Sequence, residues 1–436
     1  MIVLERLRMR RLELGLLILA SLIVGVAVIN LEISLSGNLT SDILTLIGGF
    51  ITVFLIAHGV MCWKAPHADQ ILLPVAAILN GLGLVMVYRI DATLPNVDLA
   101  PRQVMWTFVG VTLMVLVLVF LNDYRSLKKF SFVLGLFGLI FLALPMVWPT
   151  NMDADADIWI TIGPLSIQPG EFSKIMLLLF FAQLLNSKRT LFDCAGVTIL
   201  GMDFPRVRDL APILGVWFVA LLIMAGENDF GPALLLFGTV LGMFYLAANR
   251  ASWLIIGLIL VSIGGFAVYQ ISSKIQARVS NFWDPLADPN GAGYQLSQAL
   301  FGMSWGGLDG TGLGQGYPHL IPVVFSDFIL AAVAEELGLF GIAAVLILFA
   351  VFISRGMYTA LRTNDSYGKL VASGLALTVA IQIFVVTAGI SALMPMTGLT
   401  TPFMSQGGSS LMANYILMAI ILRISDTTHR EAEVSS

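Results

Sequence analysis

Hydrophobic positions in this chain come in long runs, and polar positions gather in the gaps between them. Apolar runs near bilayer-spanning length occupy 12–30, 42–63, 71–88, 104–121, 130–148, 169–186, 210–226, 231–247, 252–272, 327–352, 369–390 and 410–424. Runs of this kind predict transmembrane helices, because about 20 apolar residues cross the hydrocarbon core as a helix. The pattern therefore predicts an all-α polytopic membrane protein of about 12 transmembrane helices, with no soluble domain of any size. Most connections are short. The exception is 273–326, rich in Gly, Pro and aromatic residues, and a connection this long in a compact protein tends to be functional.

Composition agrees with the pattern. The 436 residues are 58% hydrophobic and 11% charged, with mean hydropathy +0.91, whereas about a quarter of a soluble domain is charged. The net charge of −4 says little, since membrane proteins distribute charge by side. With the N-terminus in the cytoplasm, only Arg89, Arg102, Lys274 and Arg278 fall outside and Lys174 lies within a helix. The rest of the 23 Lys and Arg fall inside, as the positive-inside rule requires. Both termini are thus expected in the cytoplasm and the 273–326 loop outside. The first apolar run follows arginines like a signal sequence, but it is long and lacks a small-residue cleavage site, which predicts an uncleaved helix. Cys62 and Cys194 form no disulfide framework, and His58, His67, His319 and His429 have no metal-ligand spacing.

Ionisable residues at membrane depth are the first functional candidates. Glu171 and Lys174 sit at i, i+3 in IQPGEFSKIMLLLFFAQLL and share a helix face; they are either a self-neutralising pair or a cation offered to an anionic ligand. Glu227 and Asp229 occupy a tight outer turn, where an acid near a helix N-terminus needs no further reason. The glycines Gly306, Gly307, Gly310, Gly312, Gly314 and Gly316 follow no strand and match no phosphate-loop pattern; neither a nucleotide nor a nucleic acid is expected to bind. In FSDFILAAVAEELG, residues 325–338, Ser326 or Asp327 suits a helix N-cap. Counted on a helix from Asp327, Glu335 comes about 80° around and about 12 Å deeper, and Glu336 about 180° around. This predicts a polar cavity open to the outside, rimmed by Asp327 and floored by Glu335, with Glu336 in a different environment.

Four stretches, WITIGPLSIQPGEFSK, RVSNFWDPLADPNGAGYQ, SDFILAAVAEELG and TPFMSQGGSS, in this order and spacing, resemble the SEDS family (shape, elongation, division and sporulation). The resemblance runs from about residue 70 to 424. It implies a ten-helix core over 69–425 that includes the 273–326 loop, two additional N-terminal helices in 1–68, a form associated with actinobacterial members, and a short cytoplasmic tail, 426–436. Members of the RodA and FtsW types polymerise lipid II into glycan strands at the outer face of the plasma membrane, and LLPVAAILNGLGLVMVYRID leans to the RodA type. Carried over by position, the resemblance makes Asp327 the essential acid. Trp159, Glu171, Lys174, Asp229, Arg278 and Gln298 become substrate-binding positions, and Glu335 joins them from the cavity reading above. Departures from the family pattern are Ile158, Gly170, the ENDFG stretch, Gly310-Thr311-Gly312 and Gln406.

The chemistry suits these residue types. A sugar 4-hydroxyl attacks the anomeric carbon of another and displaces an undecaprenyl diphosphate; a carboxylate can take the proton, and cations such as Lys174 and Arg278 can stabilise the leaving diphosphate. A divalent cation, Mg or Mn, could assist there, although no protein cage for it is visible. The expected partners are lipid II, membrane lipids and a class B penicillin-binding protein. The competing readings are an FtsW-type division enzyme and a lipid II flippase using Glu335 and Glu336 as a proton relay. No internal repeat is evident, which weakens the transporter reading.

Overall fold

Each apolar run is helical in the computed structural model of the protein, which describes residues 10–38, 41–94, 98–148, 158–162, 165–188, 197–199, 202–204, 207–227 and 229–435. Arg6, Arg8, Arg189, Arg206 and Cys194, used in the sequence reading, lie outside these residues. In chain order the helices are α1 (Arg11–Ser36), α2 (Ser41–Lys64), α3 (Leu72–Asp91), α4 (Leu99–Phe120), the short α5 (Ser126–Lys129), α6 (Ser131–Val147), α7 (Gly170–Ser187), α8 (Val207–Gly226), α9 (Phe230–Ala248) and α10 (Ser252–Ile271). They continue with α11 (Ser273–Trp283), α12 (Tyr294–Gly306), α13 (Ile329–Arg362), α14 (Ser366–Ile390) and α15 (Gly408–Ser435). Two hairpins interrupt the series, β1 (Ile160–Ile162) with β2 (Leu165–Ile167) and β3 (Val197–Ile199) with β4 (Met202–Phe204). Among the described residues nine helices are long and apolar enough to cross a membrane. The protein is an integral membrane protein.

The 273–326 connection, expected as a loop, carries α11, α12 and a 3-10 turn at Pro318–Leu320. Residues 426–436, expected as a tail, instead continue α15 to Ser435. The reason is local packing: Ser425, Asp426 and Thr427 are buried, and Asp426 accepts the His67 N–H at 3.0 Å.

The chain divides into two units, residues 1–122, 277–355 and 382–436, and residues 123–276 and 356–381. In the second, α6 lies along α7. Gly135 and Gly138 of α6 face Phe180 and Leu177 so closely that a Cβ at Gly135 would sit 2.7 Å from the Phe180 ring, the small-residue approach that membrane helices use.

In the first unit, α1 packs on α3 and α4 on α15. Polar layers hold both ends. At one end the buried Arg10 pairs with Glu13, which also meets His58 Nδ1 at 2.6 Å, and donates to the carbonyls of Ala65 (3.0 Å) and Ala68 (2.8 Å). Asp69 there receives Arg355 Nε at 2.7 Å. At the other end Glu32 accepts Tyr88 Oη at 2.8 Å, and Gln315 donates to Ser34 at 2.8 Å.

Between these layers α13 is broken at Gly338, whose φ of 66° and ψ of −166° leave the helical region. The bonds that Leu339 and Phe340 would send to the carbonyls of Glu335 and Glu336 in a continuous helix are replaced from the glycine-rich loop. Thr311 and Gly312 donate to those carbonyls at 3.0 Å each, while Leu339 and Phe340 donate to Gly307 and Leu308 at 3.0 and 3.2 Å. Irregular backbone at membrane depth persists only when its polar groups are met in this way. The loop reaches α13 because it lacks side chains: a Cβ on Gly306 would fall 2.1 Å from the Ala334 carbonyl, and on Gly310 2.3 Å from that of Glu336. A Cβ at Gly338 itself would meet Gly310 N at 2.3 Å.

Gly338→Ala is therefore expected to cost about 1–3 kcal/mol and to lower the thermal unfolding midpoint in detergent. Gly15→Ala, in a helix with nothing within 4 Å of the added Cβ, should leave the midpoint unchanged or raise it slightly.

Candidate active site

Asp327 lies in the turn that precedes α13. The helix begins at Ile329, and the Ala331 and Ala332 amides bond to the Phe328 carbonyl, so neither Ser326 nor Asp327 is its N-cap. The turn is instead held from the 400–408 segment. Gln406 N donates to Phe325 O at 2.8 Å and Ser405 Oγ donates to Ser326 O. The backbone around this clamp is strained, with positive φ at Val323 (52°) and Phe403 (62°), a conformation that persists only where its surroundings over-determine it.

The Asp327 carboxyl is closely surrounded, and burial pushes its pKa up to about 6 against the opposing pull of its own backbone N–H and of the Arg278 guanidinium. Arg278, on α11, is anchored by a 3.0 Å bond to the Thr397 carbonyl. The first unit thus brings the predicted acid and one predicted cation within electrostatic reach.

A cavity of about 380 Å³ lies in the same unit, lined in part by Gln298 and Glu335. Glu335 lines it as expected, but the lining is mostly apolar where a polar cavity was expected, and Trp305, Tyr317 and Leu320 are among its residues while Asp327 is not. The angular count from Asp327 fails because residues 327 and 328 are not helical. Glu336 does take a separate environment. It receives Arg89 Nε at 2.8 Å and the Gly314 N–H at 3.1 Å, while Arg89 also donates to Gly316 O at 2.7 Å. Sequence reading placed Arg89 with the exposed outer charges and missed this pair; its one signal was an arginine in the last turn of an apolar helix, opposite a helix holding an extra acid. An acid fixed in an ion pair is a poor member of a proton relay.

The other predicted residues lie in the second unit. The β1–β2 register pairs Ile160 with Ile167, so the chain at Trp159 runs beside Gln168, just ahead of α7. Glu171 and Lys174, one turn into α7, are both buried and 2.5 Å apart. Asp229 stands at the N-cap position of α9, but its side chain makes no capping bond. Capping therefore does not account for it. Among the described residues there is no group of three or more His, Cys, Asp or Glu that could hold a metal ion, so the residues do not supply a protein cage for the divalent cation considered above.

With this geometry in hand, the comparisons with known proteins decide the lineage. Residues 69–430 match the family model for FtsW, RodA and SpoVE, described as cell cycle protein. The chain belongs to this family. RodA of Mycobacterium tuberculosis is 46% identical over 428 residues, covering 97% of this chain and 91% of that one; its counterpart in Mycobacterium leprae is 48% identical over 381 residues, 86% and 82% of the two chains. Both carry the name peptidoglycan glycosyltransferase RodA. Stage V sporulation protein E of Bacillus subtilis is 32% identical, covering 84% and 99%. Among solved structures, a chain from work described as "Structural coordination of polymerization and crosslinking by a peptidoglycan synthase complex" superposes with a TM-score of 0.67 at 26% identity, covering 84% of this chain and 98% of that one. RodA of Thermus thermophilus shares the fold, with a TM-score of 0.59 at 24% identity over 84% and 97%.

The structure leaves the Arg89–Glu336 pair nearly without water, with side chains 4% and 0% exposed. Glu336→Leu alone should cost about 3–5 kcal/mol by stranding a buried cation, whereas Arg89→Met with Glu336→Leu should recover most of that loss. Unfolding midpoints of the single and double variants provide the check.

Proposed function

We propose that the chain is a RodA-type peptidoglycan glycosyltransferase that polymerises lipid II into glycan strands at the outer face of the plasma membrane, for cell elongation and shape. The relatives named RodA stand at 46–48% identity and those named FtsW at 30–33%, which supports the elongation type over the division type. Both termini lie in the cytoplasm and the α11–α12 loop outside, on the positive-inside distribution of Lys and Arg. Residues 1–68 are two helices added to a 69–425 core, and a class B penicillin-binding protein crosslinks the product.

The observation that carries the mechanism is the placement of Asp327, in a turn clamped by Gln406 and Ser405 just ahead of α13 and within electrostatic reach of the anchored Arg278. Burial raises its pKa to about 6, near working pH, where a general base is most effective. The acceptor's 4-hydroxyl oxygen bonds to the donor's anomeric carbon as Asp327 takes the hydroxyl proton. The bond from that carbon to the diphosphate oxygen breaks, and the diphosphate departs with the electron pair. Arg278, anchored on Thr397, supplies positive charge on the same unit. In the second unit, Lys174, paired with Glu171, Trp159 and Asp229 are substrate-binding positions by the family resemblance. Gln298 and Glu335, which line one cavity, are further substrate-binding positions.

Purified Asp327→Asn protein keeps the size of the side chain and loses the base, so lipid II polymerisation should fall by about 10²–10⁴-fold; a wild-type rate would overturn the assignment. In the native enzyme the base must be ionised. The rate should be level above neutrality and drop about tenfold per pH unit below about 6, as Asp327 becomes protonated. Initial rates across pH 4.5 to 8, on protein shown to stay folded, test this directly.

A further inference from the structure

The cavity beside α13 holds an unbalanced charge. Glu335 is 4% exposed, lines the cavity and accepts the Tyr317 N–H through Oε1 at 2.6 Å. Its other oxygen has no hydrogen bond or ion pair among the described residues. The neighbouring Glu336 takes the Arg89 guanidinium for itself. Two carboxylates and one cation leave one negative charge over, and that charge faces the cavity. A buried charge without a counter-charge is costly and marks a functional site at membrane depth.

The walls indicate what balances it. Phe301, Trp305 and Tyr317 line the cavity with Glu335, and aromatic faces attract cations. One carboxylate among aromatic rings is a poor metal site, and the described residues hold no metal-ligating cluster. A sugar would find polar partners in Gln298 and Thr311, but it would leave the charge uncompensated. A volume of about 380 Å³ is at the small end of ligand pockets, enough for a head group or side-chain terminus.

We propose that this cavity binds a primary ammonium group, with Glu335 as its counter-ion and Trp305 and Tyr317 as its aromatic wall. Two membrane-borne molecules present such a group at this surface: the peptide of the lipid-linked substrate, through a side-chain amine, and an amino-phospholipid, through its head group. The first source rests on the function proposed above; the second does not.

The test uses full-length protein carrying Asp327→Asn, so that binding is read without turnover, in nanodiscs of phosphatidylglycerol alone. The probes are the lipid-linked disaccharide-peptide with its side-chain amine free and the same molecule with that amine acetylated. If the substrate is the source, the free amine binds about tenfold tighter or more, and adding Glu335→Gln brings the two affinities together. Trp305→Ala, on the exposed rim at 81%, should cut the preference several-fold without disturbing the fold, and so serves if Glu335→Gln fails to fold. If the lipid is the source, the two probes bind alike, but replacing phosphatidylglycerol by phosphatidylethanolamine raises the unfolding midpoint, and Glu335→Gln removes that rise. The proposal is overturned if neither acetylation nor lipid exchange has an effect. It is equally overturned if an effect survives both Glu335→Gln and Trp305→Ala unchanged. Because the readout is binding, failure here leaves the Asp327 polymerisation test standing, and failure there leaves this one standing.

Discussion

The part of the first unit around α13 depends on one exchange of hydrogen bonds. At Gly338 the backbone of α13 leaves the helical path, and four bonds to the glycine-rich loop (Thr311 and Gly312 inward, Gly307 and Leu308 outward) replace those the helix gives up. In water such a break would be met by solvent. In a membrane protein it must be met by protein, so the loop is bound to the break rather than lying free over it. The side chains at the junction follow from that constraint. Glu336 is drawn against Arg89 and Gly314, Glu335 is tied to Tyr317, and the cavity is lined by Glu335, the loop and α12.

This arrangement separates two kinds of acid in one short stretch. Asp327 lies before the helix, clamped by the 400–408 segment and close to Arg278 in electrostatic terms, with burial raising its pKa to about 6. Glu335 and Glu336 lie where charge is expensive, and each is held by a backbone amide. Helix α1 also reaches this region, since Ser34 accepts from Gln315 and lies against Gly314. It braces the loop that lines the cavity.

The helices were legible in the sequence because a bilayer imposes a length and a polarity on every spanning segment, and both leave a mark in the apolar runs. The motif residues were legible through their resemblance to a family. Local spacing predicted the Glu171–Lys174 pair and a cavity beside Glu335. What spacing could not supply was anything that depends on where regularity stops. Treating Asp327 as helical gave a rim that the cavity does not have, since the helix starts two residues later. The glycine run could be read only as matching no phosphate loop, because what it does is approach another backbone, and that partner is remote in sequence. Arg89 was invisible for the same reason: its partner Glu336 is 247 residues away.

The exchange of bonds at Gly338 can be observed directly by hydrogen–deuterium exchange on the full-length protein in nanodiscs, following the amides of Thr311, Gly312, Leu339 and Phe340. The account predicts slow exchange at all four, with the two loop amides protected to the same degree as the two helix amides and lost together with them when Gly338 is changed to alanine. Rapid exchange at Thr311 and Gly312, with Leu339 and Phe340 still protected, would mean that the helix is continuous and the loop unbound, and would contradict it.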